Sequence, residues 1–266
     1  MNVYFRDTHE RAFGTWPLKG DELAASMKTA WEVGYRAFDT AQMYENEAEV
    51  GATLRGIGAK RDEVFVTTKV GMENFSADRF IPSVEASVRA LGIDAADVLL
   101  VHWPKGDDNR PALEGLVEAH RRGLTRNIGI SNYTPAMMRE AAAFLDVPIV
   151  TNQVEFHPLL DQSEMLDASV ETGIPLSSYC SVARGAIFDY PLLGEIAEGY
   201  GKTTAQVALR WILQKGVSIN TMSTKRKNIA ANFDVMGFTL STIDMARIDD
   251  LSKTNHRCVR AGPWAA

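Results

Sequence analysis

Val98-Leu99-Leu100-Val101-His102-Trp103-Pro104 sets four apolar residues against an imidazole, an indole and a proline. The run is too short for a helix and shows no alternation. It therefore reads as a strand covered on both faces, stopped by Trp103-Pro104. The same grammar recurs on either side. Upstream, Val64-Phe65-Val66-Thr67-Thr68-Lys69 ends on an ammonium, and Tyr35-Arg36-Ala37-Phe38-Asp39 ends on a carboxylate with Tyr44 five residues on. An early strand falls near Ala12-Phe13-Gly14, and further strand-like runs cover residues 127–131, 148–153, 174–179 and 217–220. Helical patterns lie between and after them, at 21–33, 45–57, 80–91, 112–122, 135–145, 163–172, 203–215, 227–233 and 241–251. Asp21 is placed as the first N-cap, Gly34, Gly92 and Gly173 as helix stops, and Pro135 at a first helical position after Thr134. Strand and helix in alternation imply a parallel sheet with crossover helices. Eight such units predict the α/β class and a (β/α)8 TIM barrel, one domain over residues 1–266. No Gly-x-Gly-x-x-Gly follows a strand, which disfavours a Rossmann sheet.

Composition narrows the class of function. The 266 residues are 45% hydrophobic and 23% charged, within the range of a soluble globular chain that can bury a substantial core. A net charge of −6 with no basic block argues against a nucleic-acid partner. No apolar run approaches the ~18 residues of a membrane span, and the charged stretch from Met1 to Glu10 has no apolar leader core. The two cysteines, Cys180 and Cys258, form neither a metal-ligand spacing nor a disulfide framework, so a cytoplasmic protein is expected. A monomer or weak homo-oligomer is expected.

In a parallel barrel, residues at the strand C-termini meet at one mouth. Asp39, Tyr44, Lys69 and His102 are expected there: an acid, a phenol, an ammonium and an imidazole. Hydride transfer to a carbonyl builds negative charge on oxygen, and a general acid must supply a proton. A free tyrosine titrates near ~10, and an adjacent ammonium stabilises its phenolate. Lys69 can do this for Tyr44, Asp39 can hold Lys69, and His102 can bond the carbonyl oxygen or relay a proton. Singly these residues are unremarkable: Asp39 and Lys69 read as an ion pair, Tyr44 as packing, His102 as a core histidine. Their joint placement on strand ends is what points to a carbonyl reductase acting on a small-molecule carbonyl substrate. His157 is assigned to packing behind the site, and His9, His120 and His256 to the surface.

Five strings carry a resemblance. They are Phe38-Asp39-Thr40-Ala41-Gln42-Met43-Tyr44-Glu45-Asn46-Glu47, Thr68-Lys69, Val101-His102-Trp103-Pro104, Asn127-Ile128-Gly129-Ile130-Ser131-Asn132 and Asn152-Gln153-Val154-Glu155-Phe156-His157-Pro158. In this order they resemble the aldo-keto reductase signature, and the similarity runs from about Phe13 to about Ile248. The resemblance implies a (β/α)8 barrel, an extended nicotinamide cofactor and no metal. It implies Tyr44 as general acid with Asp39, Lys69 and His102. It also implies Ser131, Asn132 and Gln153 on the carboxamide and Tyr179 stacked on the nicotinamide. Cys180, Ser181, Val182, Arg184 and Gly185 fall in the loop over the pyrophosphate. Thr15, Trp16, Ser223, Thr224, Asn228 and Asn232 complete the cofactor set, and Trp16, Tyr44, His102 and Trp103 face the substrate.

The sequence departs from the family after the last strand. Alignment through Asn232-Phe233 puts Thr221 at the usual Pro, Met222 at the usual Lys and Asn228 at the usual Arg, so the family's Lys that pairs the phosphate and its Arg that stacks on the adenine are both missing. Ser223 is retained, and Lys225-Arg226-Lys227 stands close by. NADPH is the expected cofactor, with NADH possible. The short tail after Arg260 and the short loop after His102 predict an open pocket, with Trp264 as a late wall. A non-catalytic nicotinamide-binding module of the channel-subunit type is the runner-up, and the intact four-residue set favours the enzyme.

Overall fold

The computed structural model describes residues 3–5, 9–106 and 108–265. The leader reading of residues 1–10 therefore falls in part outside the described residues. Eight parallel strands close a barrel in chain order: β1 Arg11–Gly14, β2 Ala37–Asp39, β3 Phe65–Val70, β4 Ala96–Val101, β5 Thr125–Ser131, β6 Ile149–Glu155, β7 Leu176–Tyr179 and β8 Ser218–Thr221. Strand β1 pairs with both β2 and β8, with Phe13 opposite Phe38 and Thr221. Every residue of β3 and β4 is buried, as expected for strands with side chains inside the barrel on one face and helices on the other.

The helices are α1 Gly20–Val33, α2 Glu47–Gly56, α3 Phe80–Leu91, α4 Arg110–Arg121, α5 Pro135–Phe144, α6 Ser163–Thr172, α7 Pro191–Gly199, α8 Thr204–Gln214, α9 Arg226–Phe233 and α10 Thr242–Asp249. Gly34, Gly92 and Gly173 end α1, α3 and α6 as the sequence suggests. Thr134 caps α5 by accepting Met137 N–H, with Pro135 in the first turn. Asp21 is not the first N-cap: α1 begins at Gly20 after Lys19, and Gly20 N–H is taken by the Glu49 carboxylate at 2.8 Å. The helix expected from residue 45 starts at Glu47, because Glu45 adopts φ 52° and cannot continue a helix; a short 3₁₀ turn, Gln42–Tyr44, precedes it. Helix α7, with Pro191 in its first turn, has no counterpart in the sequence reading.

The barrel is closed at one end and open at the other. Tyr4 lies below the strands, its hydroxyl 3.0 Å from Thr67 Oγ1, and packs with Ala12, Ala37, Phe65, Val98 and Leu100. These apolar side chains fill the floor, so a ligand is confined to the far mouth. Helices α2 and α3 approach so closely that a Cβ on Gly51 would lie 2.2 Å from Leu91 O. The 3₁₀ turn that carries Tyr44 is pinned through Gln42, whose Nε2 donates to Ser83 Oγ at 3.2 Å and Ser87 Oγ at 3.1 Å on α3, and whose Oε1 accepts from Gly71 N–H at 3.0 Å. No helix among the described residues is long and apolar enough to cross a membrane.

Candidate active site

At the open end, Asp39 closes β2, Lys69 lies one residue before the end of β3, and His102 follows β4 directly. Tyr44 reaches the same point from the 3₁₀ turn after β2 rather than from a strand end. Lys69 is 1% exposed and donates to the Asp39 carboxylate, to Thr40 O at 2.9 Å and to Tyr44 OH at 3.3 Å. Asp39 is held from its other oxygen by Gln153 Nε2 at 2.8 Å, with Asn220 Nδ2 at 3.5 Å. The Tyr44 ring stands edge-on to His102, with centroids 5.5 Å apart at 77°.

The charges follow from this burial. Desolvation opposes the Lys69 ammonium, but Asp39 and Tyr44 outweigh it, and Lys69 titrates above its ordinary value. Tyr44 behaves differently from the sequence expectation. Burial raises its pKa by more than the neighbouring ammonium lowers it, so the phenol stays protonated across physiological pH. His102 is pushed down to about 3 by burial first and then by Lys69, which leaves it a neutral imidazole with Nδ1 buried and unpartnered.

A cavity of about 620 Å³ sits over these residues. Its lining includes most of the residues placed there from sequence: Thr15, Trp16, Asp39, Tyr44, His102, Trp103, Ser131, Asn132, Gln153, Tyr179, Cys180, Ser181, Val182, Arg184 and Asn232. Lys69 lies behind Tyr44, outside the lining, as do Gly185, Ser223, Thr224 and Asn228. Asn132 fixes one wall, donating to His102 O at 3.0 Å and accepting from Tyr179 OH at 2.7 Å. Ser131 Oγ donates to Gln153 O at 2.8 Å. Cys180, Ala183, Arg184 and Gly185 all have positive φ, which coils the loop after β7 tightly beside the cavity. Trp16, Met43 and Met222 stand exposed around the rim, in keeping with an open pocket.

The sequence reading missed Gly14, Pro17, Met43, Asn220 and Val259. Asn220 had a signal, being a polar residue at the end of β8. Its Oδ1 is buried without a partner, which suits a ligand that brings a hydroxyl or amide donor. Val259 had none, because it comes from the irregular C-terminal segment. Trp264, expected as a late wall, packs against Arg257 at 4.5 Å instead. His9 and His120 are half-buried rather than on the surface. His9 stacks on Phe65 at 4.5 Å, and His120 Nδ1 lies 3.2 Å from Thr125 O. His157 does more than pack: its Nε2 lies 2.9 Å from the Glu155 carboxylate. Glu155, His157 and Cys258 bring potential ligand atoms within 4.8 Å of one another. Leu159 N–H donates to His157 Nδ1 at 3.3 Å, so the ring proton sits on Nε2 and points at Glu155. The trio is a hydrogen-bonded set.

The sequence model of the Aldo/keto reductase family matches residues 11–253. The chain belongs to this family. This aldo/keto reductase is 41% identical over 250 residues to methylglyoxal reductase DkgB of Yersinia pestis, covering 92% of this chain and 93% of that one. It is 37% identical over 244 residues to glyoxal reductase of Bacillus subtilis, covering 92% and 87%. Among solved structures it superposes on MGS-M4, an aldo-keto reductase enzyme from a Medee basin deep-sea metagenome library. The TM-score is 0.88 at 30% identity, covering 93% of this chain and 92% of the other. This aldo/keto reductase is thus an oxidoreductase of a carbonyl-reducing family whose members generally use NAD(P)H.

Proposed function

We propose that the protein reduces small aldehydes and ketones, α-dicarbonyls foremost, to alcohols with NADPH. The observation that carries this is the Asp39–Lys69–Tyr44 relay beneath the cavity, with Lys69 Nζ 3.3 Å from the Tyr44 hydroxyl. When bound, the reduced nicotinamide supplies a hydride to the carbonyl carbon. Tyr44 donates its proton to the carbonyl oxygen as charge builds there. Lys69 stabilises the phenolate left behind, and Asp39 keeps Lys69 oriented and charged. Neutral His102 orients the carbonyl oxygen by a hydrogen bond. Ser131, Asn132 and Gln153 are assigned to the carboxamide, Tyr179 to the nicotinamide face, and residues 180–185 to the pyrophosphate. The unpartnered Asn220 Oδ1 supports a donor-bearing ligand in this cleft. The test is initial rates on methylglyoxal, glyoxal and an aromatic aldehyde with NADPH and NADH side by side. No turnover on any of them would refute the reading.

Because His102 is pushed from 6.5 to about 3, it stays neutral in the folded enzyme across the physiological range. The value of kcat/KM should show no inflection near 6.5, and a limb there that His102→Gln removes would contradict neutral imidazole. The stability consequence has a definite sign. The folded value lies below the unfolded one, so the contribution is full above about 6.5 and is lost as pH falls toward 3.

Cofactor choice rests on the rim beyond β8. Arg226 is tied to Glu32 at 2.6 Å, so of the basic run Lys225 and Lys227 are left exposed for a 2′-phosphate. NADPH should be preferred, less strongly than in relatives with Lys and Arg at positions 222 and 228. Met222→Lys restores a cation beside the cavity and should raise the NADPH:NADH ratio of kcat/KM about tenfold, the effect of one charge-assisted bond. An unchanged ratio would place Met222 away from the phosphate.

A further inference from the structure

Glu155 ends β6 beside the site, and the relay above makes no use of it. A carboxylate with no exposed side-chain surface needs strong donors. The C-terminal segment supplies two of them: Cys258 N–H at 2.6 Å to Oε1 and Val259 N–H at 2.9 Å to Oε2. His157 Nε2–H supplies the third at 2.9 Å, and Leu159 N–H fixes its tautomer. Gln162 Nε2 donates to Glu155 O at 2.6 Å and stiffens the backbone there. The next tether is two residues back, His256 N–H to Leu159 O at 2.8 Å, on the far side from the cavity residue. Val259, whose amide Glu155 holds, lines the cavity. Farther along, Gly262 crosses Trp103 so closely that a Cβ on it would lie 3.0 Å from the indole.

We infer that Glu155 is a positioning residue for substrate selection: its carboxylate grips two successive backbone amides and so sets Val259 as a wall of the substrate cavity. A carboxylate can accept from both amides and from His157 together. A carboxamide has one acceptor oxygen and presents an NH₂ where the second amide donates, so Glu155→Gln must release one of them. The segment then loosens at the wall, while the relay of Asp39, Lys69 and Tyr44 keeps its partners. Small dicarbonyls, which need a close wall, lose more than bulky aldehydes do.

The kinetic arm rests on the carbonyl-reductase reading, and an exchange arm does not. In Glu155→Gln, the amides of Cys258 and Val259 should exchange with deuterium at least about tenfold faster, because charge-assisted bonds are the strong ones. Protection across β3 and β4 should be unchanged. KM for methylglyoxal should rise about tenfold, with kcat and NADPH affinity near wild type. The ratio of kcat/KM should shift toward an aromatic aldehyde. If Glu155→Gln does not fold, removal of residues 256–266 takes away the segment and its two amide donors, leaves the His157 bond to Glu155 in place and should give the same kinetic shift. Unchanged exchange at those two amides overturns the inference. So does a uniform loss of protection with an unchanged substrate ratio, which marks a merely structural role, or a truncated enzyme with wild-type KM. A wild type that reduces no carbonyl defeats the functional reading instead, and the exchange arm still decides whether Glu155 holds the segment.

Discussion

Tyr44→Phe is expected to lower carbonyl reduction by a factor on the order of 10² to 10⁴ while cofactor affinity stays near wild type. The variant removes one oxygen. The phenyl ring keeps its edge contact with His102, at 5.5 Å between centroids, and its contact with Trp16 at 5.2 Å. What is lost is the hydroxyl 3.3 Å from Lys69 Nζ. The raised pKa of Tyr44 is no obstacle to an acid role. Burial is its main cause, with Lys69 acting against it, so the phenol is present as a proton donor at every physiological pH. The ammonium acts when charge moves, by stabilising the phenolate as the carbonyl oxygen takes the proton. Single-turnover rates with quenching of intrinsic fluorescence on nucleotide addition separate chemistry from binding. Retention of more than about a third of wild-type kcat, far outside the usual loss for a general acid, would reassign the acid.

What could be read from the sequence divides along physical lines. The barrel was legible because strands such as β3 and β4 are short runs buried on both faces, and because strand-like and helical segments alternate along the chain. Asp39, Lys69 and His102 were legible because a strand's end is marked by the residue type that stops the run. Tyr44 was grouped with the strand ends, but it stands on a 3₁₀ turn followed by Glu45 in a left-handed conformation, a local geometry that the apolar runs do not report. Helix α7 was missed because Pro191, Gly194 and Gly199 mask its apolar face, yet Leu193, Ile196 and Ala197 are buried beneath it. Val259 was illegible for a different reason. Its place in the cavity depends on a carboxylate some hundred residues earlier, a long-range bond with no local periodicity. The balance at Tyr44 was also out of reach, because it is a difference between burial and a neighbouring charge, and sequence reports only the charge.

Lys69→Met is expected to remove activity and stability together. Lys69 and Asp39 are 1% and 4% exposed, and among the described residues the pair is the only compensation Asp39 has for its charge besides Gln153 Nε2 at 2.8 Å and the longer contact to Asn220. Methionine fills the volume of the stem and leaves the carboxylate without a cation. Breaking a buried pair from one side costs about 3–5 kcal/mol, and with Gln153 still in place the lower end applies. For a chain of this size that corresponds to a melting temperature roughly 10 °C below wild type. The pH dependence gives a sharper reading. Lys69 titrates above its ordinary 10.5 in the fold. Its contribution is therefore complete below 10.5 and is lost as pH rises through the higher folded value. Wild type and Lys69→Met should differ most near neutral pH and converge at strongly alkaline pH, where the buried tyrosines destabilise both alike. Lys69→Arg keeps the charge but cannot place a compact ammonium against both Asp39 and Thr40 O, so it should recover part of the stability and little of the rate. Denaturant melts of the three proteins across pH decide the matter. A Lys69→Met protein that melts with wild type at neutral pH would mean that Asp39 finds its compensation elsewhere, and the relay beneath Tyr44 would have to be rebuilt around Gln153.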